Sequence, residues 1–177
     1  VPFKRLNLIT SKPVVYICNV EEDNAATGNA HSAKVFEKAA AEKAQAVVIS
    51  AAIEAEVAQL ETDEERKEFL DSLGLEETGL TQVIRAGYAL LDQITFFTIG
   101  PKEARAWTVF RGAKGPQAAG AIHTDFERGF IAAETIAYDD YIAVGGEQGA
   151  KETGKLRLEG RDYLVQDGDV FHFRFNV

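Results

Sequence analysis

The sequence predicts two architectures in tandem, an α/β segment over residues 1–92 and an α+β segment over residues 93–177. Three observations carry this. Two short apolar runs, 14–18 and 46–49, are each followed by a helix-length amphipathic stretch, the pattern of parallel strands joined by crossover helices. Around Asp92 the apolar spacing changes from helical to alternating. At the far end Phe171, Phe173, Phe175 and Val177 alternate with His172, Arg174 and Asn176, so the aromatic rings belong to a core and the polar set to the surface.

Taken in order, residues 14–18 follow Pro13, are rich in β-branched side chains and stop at the polar cluster 19–29, which predicts a strand buried on both faces. Residues 30–44 predict a helix with Val35, Phe36, Ala39 and Ala40 inward. Residues 46–49 predict a second strand ended by Ser50, and Ile53, Val57 and Leu60 predict the helix after it. Thr62 and Glu65, three apart and ahead of Phe69, Leu70 and Leu73, form a capping box, with Gly74 as the stop. Leu80, Val83, Ile84, Tyr88 and Leu91 make a third helical stripe. Two strands cannot build a stable doubly covered sheet alone, so the other strands are missing or lie upstream.

In the second half, strands are predicted at 94–99, 104–110 and 130–137, and a helix at 116–122 with Pro116 in its first turn. Asp167-Gly168-Asp169 is a turn ahead of the alternating final strand. A small sheet crossed by one helix, within 85 residues, has the size of a β-grasp module.

Composition limits the function classes. Of 177 residues, 28 are acidic and 19 basic, for a formal charge of −9. Residues 1–92 hold 9 basic and 16 acidic side chains, net −7, and residues 93–177 hold 10 and 12, net −2. Non-specific attraction to polyanions needs clustered Lys and Arg, so no DNA sequence recognition is expected, and the second half is the less repulsive one. The single cysteine, Cys18, excludes an internal disulfide and suits a reducing cytosol, hence an expected cytoplasmic location. No apolar run reaches the ~18 residues of a membrane span, so no membrane partner is expected. With no methionine and a start at Val1-Pro2, the chain reads as a processed or partial form of something longer.

Two places can carry chemistry. Asn19-Val20-Glu21-Glu22 sits at the carboxyl end of a predicted parallel strand, where ligands bind in open α/β sheets. There an Asn amide can brace neighbouring loops, and a carboxylate three residues on can accept from a nucleobase edge. Ser50-Ala51 ends the next strand and opens a helix whose first N–H groups are free to meet a base. The same residues also read as turn chemistry and an ordinary serine cap.

These strand ends resemble the fourth and fifth nucleotide-binding motifs of translation-factor-type P-loop GTPases, Asn19-x-x-Glu22 and Ser50-Ala51. Residues 98–107, Ile122-His123-Thr124-Asp125-Phe126-Glu127-Arg128-Gly129-Phe130, 145–151 and 165–177 together resemble the YchF (Obg-like ATPase) family, over nearly the whole chain. The resemblance implies residues 1–92 as the carboxy-terminal part of a P-loop NTPase sheet with its helices. It implies residues 93–177 as a ubiquitin-like β-grasp TGS domain. It further implies ATP or GTP with Mg2+ as cofactors of the longer protein, ribosome or ribosomal RNA as partner, and a base site at Asn19, Val20, Glu22, Ser50 and Ala51. Val20 replaces the lysine of the guanine-reading motif and Glu22 its aspartate, consistent with relaxed or reversed base preference.

No Gly-x-x-x-x-Gly-Lys-Ser/Thr loop occurs in the sequence, so these 177 residues are expected not to hydrolyse nucleotide by themselves and no catalytic residue is assigned. His123, Asp125 and His172 lack ligand-like spacing, and no metal site is expected. Arg105, Lys114, Lys151, Lys155 and Arg174 are the candidate contacts to RNA or ribosome. The alternative reading is a non-enzymatic ribosome- or RNA-binding module, or a protein adaptor.

Overall fold

The computed structural model describes residues 6–100 and 102–176; Val1, Pro2 and Val177, used above, lie outside them. The chain divides into two compact units, Val1–Leu91 and Asp92–Val177.

In the first unit β1 (Val15–Asn19) and β2 (Gln45–Ile49) pair in parallel, with Asn19 opposite Ile49. The crossover is α1 (Ala30–Glu42), followed after β2 by α2 (Ala51–Val57), α3 (Asp63–Ser72) and α4 (Gly79–Leu90). Helix α1 starts on a reciprocal cap: the Asn29 side chain accepts from the N–H groups of His31 and Ser32, both at 2.9 Å, and Asn29 N–H donates to Ser32 Oγ at 2.8 Å. Val48 lies beside Gly28 and Ser32 at the foot of α1, whereas Ile49 lies against Gly79 at the start of α4. Adjacent strand residues point to opposite faces, so α1 and α4 cover opposite faces of the sheet.

The hydrogen-bond parity fixes which groups face outward. Val20 N–H donates to the Ile49 carbonyl at 2.9 Å, so Gln45, Val47 and Ile49 turn their backbone groups toward β1. Ala46 and Val48 therefore present theirs to the outer edge of β2, as Val15, Ile17 and Asn19 do on the outer edge of β1. Among the described residues no third strand pairs with either edge.

Burial departs from expectation in two places. Strand β1 is not covered on both faces: Ile17 is 48% exposed and Val14 lies outside the strand, because α4 packs mainly over β2. On α1 the inward residues are Ser32 and Ala39 with Val35 half-buried, while Phe36 (43% exposed) and Ala40 face outward. The Asn29 cap places Ser32 inside, and the buried row then follows at 35 and 39. Ile53, Val57 and Leu70 form a small core with Ala25, Phe69 and Leu75, and the α3 capping box forms as predicted. On α4, Leu80 and Ile84 stay exposed, as does Leu91 at its carboxyl cap, while Gly79 and Ala86 are buried.

The second unit is a five-stranded mixed sheet in the order β4-β3-β7-β5-β6, built from β3 (Gln93–Ile99), β4 (Ala104–Phe110), β5 (Phe130–Ala137), β6 (Arg157–Glu159) and β7 (Asp169–Phe175). Strands β3 and β4 form an antiparallel hairpin; β7 enters between β3 and β5, parallel to the first and antiparallel to the second. Ile94, Phe96, Phe171 and Phe173 pack against Ala118 and Ala119 of α5 (Gly115–Ile122), with Phe96 and Phe171 in edge contact at 5.5 Å. Phe175 is part-exposed and stacks on Phe126 of the short helix α6 (Thr124–Arg128) at 3.8 Å. On the opposite sheet face Phe97 meets Tyr138 of α7 (Tyr138–Ala143), which is followed by α8 (Glu147–Glu152).

Candidate functional site

Parallel pairing ends β1 and β2 at the same edge of the sheet, so the segments after Asn19 and Ile49 emerge side by side. Asn19 Oδ1 accepts from Ala51 N–H at 2.9 Å, satisfying one of the free donors at the start of α2. Ser50 occupies the cap position of α2 but does not cap it through its side chain. Its side chain makes no cap bond, the residue is only 3% exposed, and Oγ has no hydrogen-bond partner. Unpartnered buried hydroxyls are uncommon in folded proteins. Val20 is buried, with its N–H committed to Ile49. Glu22 opens a single helical turn, Glu22–Asn24, and its carboxylate is exposed.

The structure thus brings Asn19 and Ala51 into direct contact, with Ser50 between strand and helix. Glu22 stands one turn beyond Asn19 and is bonded to none of the others. Helix α2 is itself tied to α4, because the Glu54 carboxylate accepts from the N–H groups of Gly79 (2.6 Å) and Leu80 (3.1 Å). This tie was not read from the sequence; the pair is 25 residues apart and follows no local motif.

A cavity of this unit lies elsewhere. A concavity of about 740 Å³ runs beside β2, lined among others by Asn29, Phe36, Ala46, Val48, Glu76 and Gln82, and by none of the five predicted base-site residues.

The cationic candidates fall into separate environments. The Arg105 guanidinium lies 4.2 Å over the Trp107 ring, on the core side of the sheet. Arg174 alternates with the core residue Phe173, so it projects from the other face, where it pairs with Glu134. Lys151 pairs with Glu147 at 2.5 Å, Lys155 with Asp140 at 3.1 Å and Lys114 with Asp162 at 2.6 Å. Arg105 and Arg174 lie on opposite faces of the sheet, whereas Lys151 lies close enough to Arg174 and Glu134 for their charges to act on one another.

Among the described residues no group of three His, Cys, Asp or Glu side chains is placed to hold a metal ion. His123 Nδ1 accepts from Asp125 N–H and caps α6, while Asp125 pairs with Arg128, which holds its carboxyl below the usual range. Gly149-x-x-x-x-Gly154-Lys155 has phosphate-loop spacing, but Leu156 follows instead of a hydroxyl residue. The segment is helix α8 and its last turn, not a strand-to-helix loop. Asp169 is buried, accepting from Tyr163 O–H at 2.9 Å and Gln166 N–H at 2.8 Å. Burial raises its carboxyl, and burial with the same bond pushes the Tyr163 phenol up to about 12.

Residues 93–176 match the YchF-GTPase_C family model, described as "Protein of unknown function (DUF933)". The chain is 57% identical over 176 residues to the Ribosome-binding ATPase YchF of Bacillus subtilis, covering 98% of this chain and 48% of that protein. It is 60% identical over 174 residues to the protein of the same name in Haemophilus influenzae, covering 98% and 47%. The solved YchF GTPase of Schizosaccharomyces pombe superposes with a TM-score of 0.79 at 33% identity, covering 97% of this chain and 46% of that one. The chain spans about half the length of the curated relatives it matches. With the matches in sequence and in fold covering nearly the whole chain, this chain belongs to the YchF family and corresponds to the carboxy-terminal half of its members.

Proposed function

We propose that this chain carries the base-reading edge of a YchF-type P-loop nucleotide hydrolase, followed by a TGS-type β-grasp module that contacts the ribosome. The observation that carries the first part is the Asn19–Ala51 hydrogen bond, which locks the two strand ends into one frame. In that frame Asn19 and Ala51 form the scaffold, Val20 offers its backbone carbonyl, and the Glu22 carboxylate accepts from an amino or ring N–H of the base. The unpartnered Ser50 hydroxyl is the polar group left to answer a ligand.

The base therefore fits these residues; the triphosphate and Mg2+ do not. The sequence has no Gly-x-x-x-x-Gly-Lys-Ser/Thr loop, and no described carboxylate cluster is placed for a divalent ion. Phosphoryl transfer depends on those groups, so hydrolysis is assigned to parts of the family's proteins that these 177 residues do not contain. When bound there, ATP or GTP with Mg2+ supplies the transferable phosphoryl group.

For the second unit, the strand order with its first and last strands paired in parallel at the centre, and helix α5 packed on the core face after the opening hairpin, supports the β-grasp reading. Its relatives are named as ribosome-binding. We take the ribosome as the partner of this module, with Arg105, Lys114, Lys151, Lys155 and Arg174 as contacts, in the cytoplasm where ribosomes are.

Adenosine titrated against the chain, followed by amide NMR, tests the base site. Adenosine, ATP and GTP should all perturb the amides of residues 19–22 and 50–52. Adenosine and ATP should bind alike, since only the base is gripped. Glu22→Ala should weaken binding by about tenfold, the worth of one charge-assisted contact, and Asn19→Ala by about fivefold, the worth of the neutral bond that holds the frame. Perturbations confined to other residues, or an affinity dependent on the phosphates, would remove the base site from these strand ends.

A further inference from the structure

We propose that the outer edge of β2 is a docking strand for an extended, cationic peptide of a protein partner. The inference takes the further strands of the larger sheet to join at the outer edge of β1, which leaves the edge of β2 open. Three observations converge. Ala46 and Val48 direct their N–H and C=O groups away from β1, and no described residue pairs with them. These groups form the floor of the 740 Å³ concavity, whose walls come from α1 on one face of the sheet (Ser32, Phe36) and from α4 and its lead-in on the other (Glu76, Gln82). An open strand edge is a template for another strand, and proteins ordinarily guard it with a charge, a proline or a bulge. Gln45-Ala46-Val47-Val48-Ile49 carries none of these. A peptide adding here would satisfy the free backbone groups and alternate its side chains between the walls.

The charge selects the occupant. The ionic residues lining the groove are both acidic, Glu76 and Glu77; Glu77 is held by Arg85 at 2.7 Å, and Glu76 makes no ion pair among the described residues. Residues 1–92 carry net −7, so pairing two copies of this edge would bring like charge together, whereas a lysine- or arginine-bearing segment meets opposite charge.

The test uses the whole chain and two alternating octapeptides, lysine–valine and glutamate–valine, with amide hydrogen exchange read residue by residue. The lysine–valine peptide should slow exchange at Ala46 and Val48 and leave Val47 unchanged, because Val47 is already bonded to β1. Ala46→Pro removes an outward N–H without touching the β1 ladder and should weaken binding about fivefold, the worth of one hydrogen bond. If that variant unfolds, Glu76→Lys, on an exposed loop, serves instead and should weaken the lysine–valine peptide and favour the glutamate–valine one. Three results would each overturn the proposal: exchange at Ala46 and Val48 unmoved by the cationic peptide, equal binding of the anionic peptide, or protection that grows with protein concentration alone. The last would make a second copy the occupant.

Discussion

At Gly79 the first turn of α4 comes so close to β2 that an added Cβ would lie 2.7 Å from Ile49 Cγ2 and 2.9 Å from Ile49 Cβ. Ile49 is held in the β1–β2 ladder and cannot withdraw, so Gly79→Ala should destabilise the unit by about 1–3 kcal/mol in urea unfolding. The same approach delivers the Gly79 and Leu80 N–H groups to Glu54, and Glu54→Ala should cost about 1 kcal/mol, as the loss of an N-cap does. Ser50 separates a structural from a functional role. A buried hydroxyl without a partner is a liability, so Ser50→Ala should leave stability unchanged or raise it by up to about 1 kcal/mol. If the hydroxyl answers a base, the same variant should bind adenosine more weakly. Asn19 and Ser50 were legible as a pair of strand ends, but their division of labour was not. Which of them caps α2 depends on a contact between residues 32 positions apart.

Among the elements, those with strong local signals came through. The Thr62–Glu65 box starts α3, and the period-two run over the last strand places Phe171 and Phe173 in the core. What escaped were short pieces whose form is decided by what they pack on. Helices α6, α7 and α8 and strand β6 are each eight residues or fewer and carry too little periodicity to be read alone. Phe36 was misplaced because an alanine-rich helix offers several equally apolar faces until its cap selects one. The α3 box also makes a pH prediction. Hydrogen bonds from Thr62, its backbone N–H foremost, hold the Glu65 carboxyl below its usual value. Its contribution is therefore complete above the ordinary carboxylate range and is lost as pH falls through the lowered value. Helicity followed by circular dichroism between neutral and acid pH should show this loss, and Glu65→Gln should flatten it.

On the scale of the molecule, the two units have unequal interiors. Among the described residues the second holds a nine-residue buried cluster rich in phenylalanine, the first a cluster of three beside a two-stranded sheet. The single tryptophan, Trp107, packs against the larger core and reports on that unit alone. Denaturant should therefore abolish much of the far-ultraviolet helical signal before the Trp107 fluorescence changes; coincident curves would show one cooperative transition instead. The bareness of the first sheet was legible as a count of strands. The groove beside β2 was not, since parity of hydrogen bonding is invisible until a partner strand is known.

The position of β7 has a consequence for how the second unit can be made or destroyed. Its central strand is contributed by residues 169–175, more than seventy positions after the strand it lies parallel to, so the two halves of the sheet have no seam of their own. A cut in the turn around Gly168, or a stop codon ahead of it, would not shorten this unit but abolish it. Quality control acting on the nascent chain should meet an opened hairpin and an exposed bed of aromatic rings until that final segment arrives.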